Sequence, residues 1–171
     1  GSADADPGLA VQAAELVEPY RLAQAPPSHG AAPAPAVVAE LAELIGRAER
    51  PVFLAGRGAM TSGPELAALA DRTGALLASS AVAAGTFAGE PYDLGICGGF
   101  ATPLAAELIA AADLLVAWGC SLTMWTTRHG RLVGTDTAVV QVDDDPAALG
   151  ARVPISLGVL GDVGLTAAAL A

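Results

Sequence analysis

The sequence contains no lysine and no asparagine, and aromatic residues make up only 4% of its 171 residues. The absence of lysine excludes Schiff-base chemistry and a phosphate loop of the usual lysine-containing kind. The absence of asparagine excludes any ligand clamp built on that amide. Eight arginines stand against 18 acidic residues, which leaves a formal net charge of −10. Because the arginines are scattered and form no basic patch, we expect no nucleic-acid partner.

Long apolar runs and cysteine pairs are also missing. The longest apolar stretch, residues 104–118, is interrupted by Glu107 and Asp113, whereas a membrane span needs about 20 apolar residues. We therefore expect no membrane partner. Cys97 and Cys120 are isolated thiols without metal-binding spacing, so they are expected to be small buried side chains, and no metal site is predicted. The lack of a disulfide framework and of a signal-peptide pattern favours a cytoplasmic location.

What the chain does contain is a repeated unit of a short apolar run, a turn of small residues and an Ala/Leu-rich stretch. Apolar runs of this length are typical of parallel strands that are buried on both faces and joined by crossover helices. Strands are predicted at residues 52–55, 75–79, 93–96, 114–118, 138–142 and 155–159, and helices at 37–48, 64–72, 103–111 and 163–170, with a short helix near Val82. Right-handed crossovers then favour a three-layer, Rossmann-like α/β fold. Its six-stranded parallel sheet has the order 3-2-1-4-5-6, with helices on both faces.

Residues 1–36 differ in composition from the rest of the chain. Residues 25–35 are rich in proline and alanine, which is typical of a linker, and residues 9–20 have helical spacing of apolar side chains. We predict an N-terminal extension and linker over residues 1–36 and a compact domain over residues 37–171.

The turns that follow the strands hold the candidate binding residues, because ligands of parallel sheets collect at the carboxyl ends of the strands. Gly56 and Gly58 permit a close backbone approach to a ligand, and Arg57 between them could face an anion. The alternative is a tight turn with a surface arginine. The candidate cofactor-binding residues are Gly56, Arg57, Gly58, Gly98, Gly119, Ser121, Asp143 and Asp162.

The glycine turn departs from the ordinary dinucleotide fingerprint. Thr61 stands where the third glycine is required, and Ser79 and Ser80 stand where an acidic residue should follow the second strand. The chain is therefore not predicted to be an ordinary NAD-binding unit.

Three aspartates and the tryptophans have alternative interpretations. A carboxylate of the run 143–145 could accept hydrogen bonds from a ribose, or it could cap a following helix that begins at Pro146. Asp162 has the same two interpretations, and Ser62 is a candidate cap for the second helix. Trp118 and Trp125 are expected to be core or interface residues. No catalytic residue is predicted.

Residues 50–59 resemble the opening of the central domain of thiamine-diphosphate-dependent enzymes, a family that includes acetolactate synthase, benzoylformate decarboxylase, pyruvate oxidase and oxalyl-CoA decarboxylase. Further pieces follow in the family's order and extend the resemblance over residues 37–171. They are residues 66–70, 73–75, 84–87, 94–95 with Gly98, 112–119, 140–143 and 161–162.

The resemblance implies a domain that lies between two thiamine-binding domains of a parent enzyme acting on 2-oxo acids. The parent would use thiamine diphosphate and magnesium and would be a homodimer or homotetramer. In some members the central domain binds FAD or ADP, and in others it is structural. The cofactor signature of the family is broken at residues 161–163 and its asparagine is absent, so we expect an excised central domain without catalysis of its own.

The flavin question is left open by the turn after the fourth strand. Flavin-containing acetolactate synthases carry an arginine beside the glycine there, whereas this chain has Cys120 and Ser121 after Gly119, with Arg128 further on as a potential substitute. The alternative hypotheses are a free-standing FAD-binding or nucleotide-binding module of the electron-transfer-flavoprotein type, and an interaction scaffold without a small ligand.

Overall fold

A six-stranded parallel sheet organises residues 30–171, the part of the chain that the computed structural model describes. Its strands are β1 (Pro51–Ala55), β2 (Leu76–Ser79), β3 (Asp93–Ile96), β4 (Leu114–Trp118), β5 (Ala138–Asp143) and β6 (Leu157–Leu160). They are arranged in the order β3-β2-β1-β4-β5-β6, and every neighbouring pair is parallel. The predicted topology is confirmed. The helical spacing noted over residues 9–20 lies outside the described residues.

Four helices accompany the strands, two of them between strands, one before β1 and one after β6, and three single 3₁₀ turns follow β1, β2 and β3. The helices are α1 (Pro35–Arg47), α2 (Gly63–Thr73), α3 (Pro103–Ala110) and α4 (Val163–Ala169), and the 3₁₀ turns are Arg57–Ala59, Ala81–Ala83 and Gly98–Phe100. Local sequence sets several ends, because α1, α2 and α3 each have a proline in the first turn. The side chains of Thr102 and Asp162 accept hydrogen bonds from the first-turn amides of α3 and α4. None of these helices, within residues 30–171, is long and apolar enough to cross a membrane.

The core lies in two layers on opposite faces of the sheet. Side chains of β1 alternate, with Phe53 packing against α1, α2 and α4 and Leu54 packing against α3. Trp118 of β4 lies edge-on to Phe53, with ring centroids 5.5 Å apart. Because every residue of β1 and β4 is buried, these central strands read as continuous apolar runs. Helices on both faces confirm the three-layer prediction.

Two sequence predictions about caps are wrong. Ser62 precedes α2, but its side chain makes no capping hydrogen bond and is instead buried. No helix begins at Pro146. Asp145 accepts a hydrogen bond from the Ala147 amide at 2.9 Å and stabilises a turn, and Gln141 then fixes this turn by accepting from the Gly150 amide at 2.9 Å. Hydrogen bonds to the side chains of Asp145 and of Gln141 in β5 thus hold a turn where the sequence predicted a helix.

Element ends differ from the prediction by one or two residues. Helix α1 begins at Pro35 and strand β6 begins at Leu157, two residues from each predicted start. Residues before α1 already contact the domain, since the Ala31 carbonyl accepts a hydrogen bond from the Asp162 amide at 3.0 Å. The division of the chain at residues 36 and 37 stays a prediction.

Candidate functional site

A crevice of about 540 Å³ lies at the carboxyl edge of the sheet, where the turns after β1, β4 and β5 meet. This volume is within the usual range of small-ligand sites. Five of the eight predicted binding residues line it: Gly56, Arg57, Gly119, Ser121 and Asp143. The parallel sheet therefore brings these residues together, although their role in binding stays a prediction.

The other three predicted residues have structural contacts outside the lining. Gly58 packs against Gly119, and a Cβ at Gly98 would meet the carbonyl oxygen of Trp125 at the rim of the crevice. Asp162 caps α4 by accepting a hydrogen bond from the Leu165 amide at 2.9 Å. The capping interpretation of Asp162 is confirmed, and a further role for it in cofactor binding is still only predicted.

The glycine turn after β1 uses its amides within the protein. The Gly56 amide donates to the Trp118 carbonyl at 2.8 Å, and the Gly58 amide donates to the Gly119 carbonyl at 3.1 Å. The Ala59 amide donates to the Gly56 carbonyl at 3.0 Å. A phosphate cradle needs free amides that point at the ligand. These glycines instead join the turn of β1 to the turn of β4.

Arg57 is left free to contact a ligand. Its side chain is exposed, and both ion pairs found within residues 30–171 involve other arginines. A guanidinium in this position can pair with a carboxylate or a phosphate through two parallel hydrogen bonds.

Sequence reasoning missed Ser80 as a site residue. Ser80 is only 6% exposed and lines the crevice, and its buried hydroxyl oxygen has no hydrogen-bond partner within residues 30–171. A buried hydroxyl without a partner is costly, so it points to a polar group that is supplied from the crevice. The only signal in the sequence was the pair Ser79 and Ser80 at the end of β2, where the dinucleotide fingerprint has an acidic residue.

Asp143 supplies the acidic side of the crevice. Its burial raises the pKa of the carboxyl, and the neighbouring carboxylates of Asp144 and Asp145 raise it further. A hydrogen bond from the Asp145 amide to Asp143 Oδ1, at 3.1 Å, opposes this rise. The crevice therefore combines a guanidinium, a partly desolvated carboxyl and two serine hydroxyls.

Apolar side chains form the outer rim of the crevice. Val82, Phe100 and Trp125 all line it and are 58%, 75% and 72% exposed. Trp125 is therefore not a core residue, and of the two tryptophans only Trp118 has the expected core position. Exposed apolar side chains that cluster around a cavity are typical of a surface that contacts a ligand or another domain.

Both cysteine thiols are buried. Burial raises the pKa of Cys97 to about 12 and that of Cys120 to about 11, so both stay protonated at neutral pH. Within residues 30–171 no three His, Cys, Asp or Glu side chains are placed to hold a metal ion. The described residues therefore offer no carboxylate or imidazole cluster that fits the magnesium of a thiamine cofactor.

Comparison with known proteins identifies the family of this α/β domain. Residues 38–170 match the model of the thiamine pyrophosphate enzyme central domain, and the chain belongs to that family. It is 31% identical over 131 residues to a probable acetolactate synthase large subunit of Methanocaldococcus jannaschii, covering 75% of this chain and 22% of that protein. It is 32% identical over 129 residues to a sulfoacetaldehyde acetyltransferase of Roseovarius nubinhibens, covering 72% and 21%.

The same fold is found in a solved structure. The crystal structure of benzoylformate decarboxylase from Polynucleobacter necessarius superposes with a TM-score of 0.67 at 20% sequence identity, covering 85% of this chain and 28% of that one. The chain thus spans about a fifth of the length of the sequence relatives that it matches.

Proposed function

We propose that this chain is the central domain of a thiamine-diphosphate-dependent enzyme acting on 2-oxo acids, and that it joins and spaces two flanking thiamine-binding domains. The observation that carries the proposal is the family match over residues 38–170, in a chain that spans only 22% of a matched relative. The exposed apolar side chains of Val82 and Phe100 support it as a surface for a neighbouring domain. The parent would be a cytoplasmic homodimer or homotetramer, with its thiamine diphosphate and magnesium held by the flanking domains.

The isolated chain is expected to be catalytically inactive. The supporting observations are the protonated, buried thiols and the lack of a metal-binding cluster within residues 30–171. The test incubates the purified chain with thiamine diphosphate, Mg²⁺ and a panel of aliphatic and aromatic 2-oxo acids, with an intact benzoylformate decarboxylase as positive control. Release of carbon dioxide above the protein-free rate would refute the assignment as a non-catalytic domain.

The crevice is proposed to bind the adenosine end of ADP or FAD. Asp143 would accept hydrogen bonds from ribose hydroxyls, and the buried Ser80 hydroxyl would gain the partner that it lacks. Because the Gly56, Gly58 and Ala59 amides are engaged, Arg57 would supply the positive charge that neutralises the phosphates. Binding is therefore expected to be weaker than in sites where a helix N-terminus and free amides hold the pyrophosphate.

Calorimetry with ADP and FAD tests the crevice. Arg57→Gln should weaken binding, whereas Arg47→Gln should not, because Arg47 is also exposed but lies on α1, outside the crevice lining, with a loose 4.0 Å ion pair to Glu43. Ser80→Ala should weaken binding without lowering stability, because it removes a buried hydroxyl that has no partner. Absence of binding by both nucleotides, or equal losses in the two arginine variants, would exclude this site and leave the structural role alone.

The free-standing flavin module makes a different prediction. Such a module would retain FAD through purification and show flavin absorbance, and its gene would lack flanking thiamine-binding domains. A colourless preparation that binds ADP reversibly supports the central-domain proposal.

A further inference from the structure

A second groove of about 570 Å³ lies between the loop after β4 and the segment before β6. None of the predicted binding residues lines it. Leu122 and Val153 contribute apolar surface, and Trp125, His129 and Arg152 contribute aromatic and basic groups. The groove shares only Thr123 and Trp125 with the crevice at the carboxyl edge.

The loop along this groove is held in one conformation. The Thr127 amide donates to the Thr123 carbonyl at 2.9 Å, and the His129 amide donates to the Met124 carbonyl at 2.8 Å. Arg128, His129 and Gly130 are three successive residues with positive φ, at 53°, 57° and 83°. Because left-handed backbone is unfavourable for arginine and histidine, the surrounding structure must maintain it. The groove is therefore formed before any ligand arrives, which reduces the entropic cost of binding.

The charge of the groove is opposite to that of the protein. The chain carries a net charge of −10, yet no carboxylate is found among the described residues that line this groove. Arg152 is part of the lining, and Arg128 and Arg131 belong to the same loop as His129. A concave surface with one sign of charge concentrates ions of the opposite sign.

The aromatic groups indicate what kind of anion fits. Trp125 is 72% exposed, and its ring lies 6.2 Å from the His129 ring at 59°. An exposed indole offers a face on which a flat ring can stack, and a guanidinium pairs with a planar carboxylate through two hydrogen bonds. The volume of about 570 Å³ exceeds what an inorganic ion would fill.

We propose that this groove is a binding site for a flat aromatic carboxylate, with the ring stacked on Trp125 and the carboxylate paired with Arg152. The site does not depend on nucleotide binding in the crevice, because none of the charged residues of the crevice lines it.

Titration of the ¹⁵N-labelled chain with 2-naphthoate tests the site by NMR. The two indole N–H signals give an internal comparison, since Trp118 is completely buried and Trp125 is exposed. The Trp125 signal should shift saturably and the Trp118 signal should not. The uncharged 2-naphthylmethanol should bind roughly tenfold more weakly or worse, because it lacks the charge-assisted pair.

Variants locate the ligand. Arg152→Gln should weaken 2-naphthoate binding roughly tenfold or more. Arg131→Gln removes an equal charge from the loop after β4 at a residue outside the groove lining, and it should have little effect. Trp125→Leu should abolish binding. Equal losses in Arg152→Gln and Arg131→Gln would mean diffuse charge attraction and would overturn the proposal. A loss in Arg57→Gln but not in Arg152→Gln would place the ligand in the crevice and would also overturn it.

Inorganic phosphate tests the contribution of the aromatic ring. Inorganic phosphate should not shift the Trp125 signal. A shift by inorganic phosphate that equals the shift by 2-naphthoate would show that the ring makes no contribution, which contradicts the proposed stacking.

Discussion

Replacing Gly119 by alanine should destabilise the domain at the junction between the turns of β1 and β4. A Cβ at this position would lie 2.5 Å from Gly58 Cα, 2.7 Å from Gly58 C and 2.9 Å from the Ala59 nitrogen. All three atoms belong to the backbone, so no flexible side chain can move away. The residue also has φ of +54°, which alanine adopts only at a cost.

A matched variant separates the loss of stability in Gly119→Ala into a backbone contribution and a packing contribution. Gly74, which ends α2, has φ of +70° and open space around a Cβ. Gly74→Ala should therefore cost only the backbone contribution, about 1 kcal/mol. Gly119→Ala should cost this amount plus about 1–3 kcal/mol for overpacking, or about 2–4 kcal/mol in total.

Urea unfolding of the whole chain measures both variants. The two should have similar m-values, because the surface exposed on unfolding does not change. The midpoint of thermal unfolding should fall further for Gly119→Ala than for Gly74→Ala, by about 2–4 °C for each additional kcal/mol. If Gly119→Ala cost no more than Gly74→Ala, the junction would be loose enough to yield, and the argument that these glycines are required for close packing would be wrong.

Three further substitutions test buried or bonded polar groups by the same unfolding assay. Asp113→Asn should destabilise the domain at neutral pH, because Asp113 accepts hydrogen bonds from the Glu49 and Arg50 amides at 2.7 and 2.9 Å. If the loss of unfolding free energy did not become smaller in acid, this explanation would be contradicted. Asp143→Asn should stabilise the domain at neutral pH, since it removes a desolvated carboxylate, and should weaken ADP binding; an unchanged stability would show that the carboxylate is well solvated. Gln141→Leu should cost about 1–3 kcal/mol, because it leaves the buried Cys120 carbonyl without its partner and releases the Gly150 amide. A cost below about 1 kcal/mol would mean that water replaces the side-chain amide.

The pH dependence of the two aspartates has opposite signs. Burial alone would raise the pKa of Asp113, but the two amide hydrogen bonds and the Arg50 guanidinium outweigh it and lower the pKa below the ordinary value of 3.8. The contribution of the ionised Asp113 carboxylate to the stability of the domain is present above the unfolded-state pKa. It is lost as the pH falls through the lower pKa of the folded state. Asp143 has a raised pKa, so its ionised form opposes folding above the raised pKa. The advantage of Asp143→Asn should disappear as the carboxyl becomes protonated in acid.

The fold was predictable because local and global signals agree in the central strands. In β1 and β4 every residue is buried, and short apolar runs of this kind are typical of parallel strands covered on both faces. Right-handed crossovers then favour the observed order of the strands. Less was predictable at the edge strand β6, where burial alternates and the strand starts two residues later than its apolar run suggests.

The candidate site was predictable only where it depends on chain order. Gly56, Gly119 and Asp143 follow strands of one parallel sheet, so they had to meet at one edge. The orphaned hydroxyl of Ser80 depends on what surrounds it after folding, and no local pattern records that. The groove beside Trp125 depends on left-handed backbone at Arg128 and His129, where the sequence has no glycine to signal it. The sequence alone could not decide whether Trp125 is a core residue or an exposed interface residue.

The engagement of the glycine turn has a consequence for how this domain can recognise a nucleotide. In a site where free amides hold the phosphate, the same glycines serve folding and binding, and a substitution damages both. Here the Gly58 amide is already bonded to Gly119, so in the proposed nucleotide site recognition would depend on the side chains of Arg57, Ser80 and Asp143. Two of these, Arg57 and Asp143, are not part of the buried core, and the third has a hydroxyl without a partner. Ligand binding should therefore be removable by Arg57→Gln with no loss of stability, while Gly119→Ala should lower the stability of the domain in the absence of any ligand.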